Sequence, residues 1–207
     1  MYVRTIRVVM LVVMVFFTLA LALFIVSLLA GSALGEEEEN TCAESVGAAI
    51  QELQPWYRPT LGALPGSKRA KTRDMLAEAI CTATEKHAID PLLSVAIAFR
   101  ESSLLPNQEG SKRERGYFQV MPTSAIEKRF APGPCSQHEA MCNTQTALGF
   151  MAWLRDEYCQ SDDAYVWLGA YGRGRCPTSK EARSWPELKA ARRILCEIDA
   201  DCSKKLP

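Results

Sequence analysis

The sequence predicts a mainly α-helical domain held by disulfides and preceded by one apolar segment. Three observations carry that expectation. After residue 40, apolar residues recur mostly at helical spacing; few stretches alternate with a period of two; and all eight cysteines follow a long uncharged run. The 207 residues suffice for one ordinary domain plus an extra segment. With 24 basic and 24 acidic residues the net charge is +0, so the chain lacks the basic footprint of a nucleic-acid binder.

The first element is the uncharged stretch between Arg7 and Glu36, whose apolar run Val8 to Ala30 exceeds the roughly 18 residues that can span a bilayer. Arg4 and Arg7 precede it and favour a cytoplasmic N-terminus. Small residues at Ala33 and Gly35 offer a cleavage site, although the run is longer than the roughly 7–15 residues of a signal-peptide core. Residues 1–35 are therefore a signal anchor or a signal peptide. If uncleaved, the segment makes the membrane a partner. Residues 36–40, "EEEEN", are an acidic spacer, and residues 41–207 form the exported domain.

Cys42, Cys81, Cys135, Cys142, Cys159, Cys176, Cys196 and Cys202 read as a disulfide framework, the form cysteines take in oxidising compartments. Roughly a hundred pairings are possible, and only near neighbours such as Cys135 and Cys142 suggest a partner. Zinc is the rival use. No CxxC occurs and the only histidines are His87 and His138, so no metal site and no cofactor is expected.

Within the domain, Thr41 and Glu44 have the form of a capping box for a first helix reaching Leu53. The Pro/Gly-rich stretch Gln54 to Ser67 then breaks regular structure. Met75, Ala79, Ile80 and Ala83 predict a helix over Lys71 to His87. Asp90 and Pro91 supply a cap and a first-turn proline for the next, which runs to Glu101 and Ser102. Ser124 and Glu127 suggest another capping box. Further helices are expected over Met141 to Cys159, Asp162 to Cys176 and Trp185 to Ile198.

Glu101 is the candidate for chemistry. Ala98 and Ile97, three and four residues earlier, put it beside an apolar face, and it falls in the last turn, where the helix dipole disfavours a negative charge. Both effects raise a carboxyl's pKa, which suits a general acid. Solvated acids at helix ends are common, so position alone does not assign the role.

The residues that follow sharpen it. Glu101-Ser102-Ser103-Leu104-Leu105-Pro106, then Gly116-Tyr117-Phe118-Gln119-Val120-Met121-Pro122, then Ala170-Tyr171-Gly172-Arg173-Gly174 resemble, in order and register, the three motifs of the lytic transglycosylases of the lysozyme-like superfamily. The resemblance covers roughly residues 90–174. It implies a lysozyme-like helical fold and peptidoglycan glycan strands as partner. It implies cleavage of the β-1,4 bond between N-acetylmuramic acid and N-acetylglucosamine, with Glu101 as the one catalytic acid and a 1,6-anhydro product. It places Ser102, Gln119, Tyr171 and the backbone around Met121 at the sugar site, with Tyr171 holding the Glu101 carboxyl by a hydrogen bond. Two departures stand out: Arg113-Glu114 where many members have Gly-Ala, and Gly172 where Asn is common.

Two other readings stay open. A hydrolase of the same fold would use a second carboxylate, for which Glu109 and Glu114 are the nearby candidates. A non-catalytic peptidoglycan-binding protein would keep the fold without lysis. The expected location is the periplasmic side of the inner membrane if the apolar segment anchors the chain, and otherwise periplasmic or secreted.

Overall fold

A computed structural model describes residues 41–53 and 66–206. The expected signal segment, the acidic spacer and most of the Pro/Gly-rich connection lie outside these residues. One compact unit comprises Cys42–Pro207. Among the described residues, no helix is long and apolar enough to cross a membrane.

The unit is helical, as expected. α1 covers 41–53. It is followed by α2 (Gly66–His87), α3 (Pro91–Ser102), α4 (Ser124–Phe130), α5 (Ala140–Trp153), α6 (Ala164–Arg173), α7 (Ser179–Ser184), α8 (Pro186–Ile198) and α9 (Cys202–Lys205). Extended pairing among the described residues is confined to two isolated bridges, Glu109 with Arg115 and Arg115 with Val120.

α5 is the central helix. Its residues Asn143 to Gly149 are all buried, so this stretch has no solvent-facing side, and α2 and α4 pack against it. Leu148 and Met151 from α5 meet Leu76 and Ile80 from α2, Val95 from α3 and Leu195 from α8 in one core. α5 does not simply stop. At Leu154–Tyr158 the chain widens into a π-helical turn, closed by the Cys159 N–H donating to the Leu154 carbonyl at 2.8 Å.

Local chemistry explains the ends of α3. The Asp90 carboxylate accepts from the Leu93 N–H at 2.9 Å, and Pro91 occupies the first turn, where a missing N–H is harmless. At the other end Ser103 takes a left-handed conformation, φ 55°, and its N–H donates to the Phe99 carbonyl. For α4 the cap falls one residue before the expected Ser124. Thr123 accepts from the Ile126 N–H, because its backbone is already extended while Ser124 is helical.

Four disulfides join Cys42 to Cys81, Cys135 to Cys142, Cys159 to Cys176 and Cys196 to Cys202. The first ties α1 to α2. The second anchors the loop before α5, the third joins the end of the π turn to the segment after α6, and the last holds α9 against α8.

Candidate active site

α3 delivers Glu101 to the surface of the core and the chain then turns back at once. Ser103 and Leu104 both have positive φ, 55° and 56°, which costs each side chain about 1 kcal/mol. Interactions beyond the turn must hold it there. Ser102 supplies several: its hydroxyl donates to the Tyr117 carbonyl at 2.7 Å, lies 3.1 Å from the Ala98 carbonyl and accepts from the Leu105 N–H. The residue is 5% exposed. Ser102 was expected to line the sugar site; instead it faces inward, since its hydroxyl is the bond between the helix end and the motif loop.

That loop is more ordered than its polar composition suggests. Arg115 and Val120 exchange backbone hydrogen bonds at 3.0 and 2.9 Å, and the Gly116 N–H donates to the Gln108 carbonyl. Gln119, at φ 49°, donates through Nε2 to the Gly116 and Gln108 carbonyls at 2.9 and 3.1 Å. Its amide N–H groups therefore brace the loop. Met121 is half-buried, and its carbonyl accepts from the Thr123 N–H at 2.7 Å. Phe118 and Tyr117 are core: Phe118 is fully buried, and burial pushes the Tyr117 phenol up to about 12. Ser111 to Arg113 form the exposed tip, and the Glu114 carboxylate accepts from the Lys112 N–H at 2.8 Å.

A buried amide from α5 fixes the whole loop from below. Asn143 accepts from the Phe118 N–H at 2.8 Å and donates to the Arg115 carbonyl at 2.9 Å and to Gln137 at 3.2 Å. Gly116 sits directly over this junction with φ 75°, and a Cβ there would stand 2.2 Å from the Gln137 carbonyl oxygen and 2.6 Å from the Asn143 amide nitrogen. Gly116→Ala is therefore expected to cost about 3 kcal/mol, from backbone strain and the displaced amide together. Urea unfolding measures it.

Tyr171 lies on α6, close enough for its phenol to feel the Glu101 charge. Burial, with Glu101 adding to it, raises the Tyr171 pKa well above its ordinary value. The expected hydrogen bond to Glu101 is not made. The hydroxyl has one proton and donates it to the Phe118 carbonyl at 2.7 Å. Tyr171 thus ties α6 to the motif loop while facing the acid. Its ring meets Phe150 at 5.7 Å, and Phe150 stacks on Trp153. At Gly172, where Asn was the residue to compare, a Cβ would meet only open space.

Glu101 itself is 14% exposed, and its Oε1 lies 2.8 Å from Nη2 of Arg100. Adjacent residues on a helix diverge by about 100°, so sequence spacing did not put the two together. Burial pushes the Glu101 carboxyl above the ordinary glutamate range. Arg100 pulls it down, and the charges of Glu114 and Glu187 add to the rise. Of the expected second acids, Glu109 is exposed and faces Arg115 at 3.8 Å, while Glu114 is engaged by the loop backbone. Glu187, at the start of α8, lies in no motif and was not foreseen. It reaches Glu101 because α8 packs against α3. No group of three or more histidines, cysteines or acids able to hold a metal occurs among the described residues.

A helical domain that presents one half-buried acid beside an internally braced glycine-aromatic loop defines a narrow class. Residues 78–193 match the family described as Transglycosylase SLT domain, and the chain belongs to that family, within the lysozyme-like superfamily. The match extends beyond the three motifs to include the C-terminal part of α2 and most of α8. No curated protein matches the chain. Family membership supports transglycosylase-type activity on peptidoglycan in general, and with the four disulfides it is consistent with an exported protein.

Proposed function

We propose that the chain is a lytic transglycosylase that cleaves the β-1,4 bond between N-acetylmuramic acid and N-acetylglucosamine. The observation that carries this reading is Glu101: one acid, 14% exposed, raised above the ordinary carboxyl range and set beside the braced motif loop. Glu101 gives its proton to the glycosidic oxygen as the bond from that oxygen to the muramoyl C1 breaks. The resulting carboxylate takes the proton of the muramoyl 6-hydroxyl as its oxygen bonds to C1. The acid returns protonated, the product is a 1,6-anhydro sugar, and no water is consumed.

Tyr171 and the Gln119 and Met121 segment line the sugar, and Ser102 supports them from inside. Burial from α3 and α6 excludes water from the reacting carboxyl, which favours attack by the sugar's own hydroxyl. We further infer that residues 1–35 direct the domain across the membrane, as an anchor or as a signal peptide, so that it meets the wall.

One observation favours a hydrolase instead: Glu187 is a second carboxylate within electrostatic reach of Glu101. Its Oε1 accepts from Nε of Arg173 at 2.7 Å, however, and a carboxylate committed to a guanidinium is a weaker base toward water. Product mass decides. Purified sacculi digested with the full-length chain are expected to yield muropeptides with anhydromuramoyl ends, lighter by one water than the hydrolytic product. Reducing ends would establish the hydrolase, and no release at all would overturn both enzymatic readings.

A further inference from the structure

The groups around Glu101 form a charge arrangement that the one-acid mechanism leaves unexplained. Arg100, the residue before it, is bonded to it at 2.8 Å, and both side chains are largely removed from solvent. An arginine so placed favours the ionised acid, the wrong state for giving a proton. Acids oppose it from two other elements. The charge of Glu114 acts on Glu101 from the motif loop, and that of Glu187, in the first turn of α8 where that helix packs on α3, acts on both Glu101 and Arg100. Tyr171 on α6 is the remaining titratable group in this set, and burial keeps its phenol neutral. Arg173, also on α6, fixes Glu187 through the 2.7 Å bond.

Resting on the lytic reading above, we propose that Arg100 is a positioning residue that stabilises the carboxylate forming on Glu101 during proton donation, and that Glu187 is its counterweight. The arginine acts where charge develops. At the start of the reaction Glu101 is neutral and gains little from a guanidinium. As the proton leaves, a negative charge grows beside Nη2 in a site with little solvent screening, so the interaction is stronger in the transition state than before it. Arg100 alone would also strip the proton from Glu101 before sugar arrives. Glu187, with Glu114, offsets that pull, and the bond from Arg173 keeps Glu187 charged and in place. The acid thereby keeps its proton to higher pH than Arg100 alone would allow, yet is well supported once ionised.

The arrangement predicts opposite effects from its two members. In the full-length chain purified in detergent, Arg100→Gln is expected to lower the saturated rate of muropeptide release roughly tenfold with little change in the half-saturating amount of sacculi. The alkaline limb of its pH–rate profile moves to higher pH, because the group favouring deprotonation is gone. Arg100→Lys keeps the charge and returns the limb towards wild type. Glu187→Gln moves the limb the other way, to lower pH. Carbon-13 titration of the Glu101 carboxyl in the same variants should show the same two opposite shifts without any turnover. Unmoved limbs, shifts in one direction for both variants, or a loss confined to the half-saturating amount would overturn the proposal. If wild type releases no product, the lytic reading fails by itself. The carboxyl titration then decides whether the charge arrangement exists: opposite shifts support it, and unchanged values overturn it.

Discussion

On the proposed mechanism, Glu101→Gln is expected to abolish lysis and to leave the protein more stable at neutral pH. The loss should reach about a thousandfold in the rate of muropeptide release, the scale of a positioned general acid and base. The stability gain follows from the raised carboxyl. In the unfolded chain Glu101 titrates near its ordinary 4.5, whereas burial holds the folded value higher. Below 4.5 both states are protonated and the group has no effect on folding. As pH rises through the window from 4.5 to the folded value, the unfolded chain loses its proton first, and wild type loses stability. Glutamine carries no charge, so the variant is spared that loss. The melting-temperature difference between variant and wild type should be near zero below pH 4.5, open across the window and stay positive at pH 7. A lower melting temperature at pH 7 would mean that the Arg100 ion pair outweighs burial and that Glu101 is a structural group.

The second large effect concerns the bridge between α1 and α2. Cys42 and Cys81 are 39 residues apart, and in the chain-entropy account closing such a loop stabilises the fold by about 4 kcal/mol. Cys196 and Cys202 are 6 apart, for which the same account gives about 2 kcal/mol. Replacing Cys42 and Cys81 together by alanine should therefore cost about twice as much as replacing Cys196 and Cys202, as measured by guanidinium unfolding. The difference has a structural counterpart. α1 brings Val46, Ile50 and Leu53 to the core, and the bridge holds that helix on α2. Equal costs would show that α1 is held by packing alone.

Much of the fold was legible because its cues are local. The Asp90-Pro91 start of α3 needs only one carboxylate and one ring, both visible in sequence, and the cap lies where they put it. The motif loop was legible by resemblance, and the structure puts its tip, Ser111 to Arg113, in solvent. What failed was long-range. Ser102 reads as a polar motif residue, yet its partner is the Tyr117 carbonyl across the turn. Tyr171 has one proton to give, and whether it goes to Glu101 or to the Phe118 carbonyl depends on how α6 meets the loop. Glu187 gave no signal at all, since only the packing of α8 on α3 brings it near the acid. Asn143 opens a run of four polar residues in α5, and nothing in that run marks it as the one that braces the motif loop.

The disulfide pairs also carry a consequence for how the protein is made. Cysteines 42 and 81, 135 and 142, 159 and 176, 196 and 202 are each joined to the next cysteine along the chain. A polypeptide entering an oxidising compartment N-terminus first exposes its thiols in that same order. Pairing each new thiol with the one already waiting gives the native set directly, out of roughly a hundred alternatives. For a chain oxidised as it emerges N-terminus first, that order calls for an oxidant at the point of entry and no exchange of bridges to reach the native set.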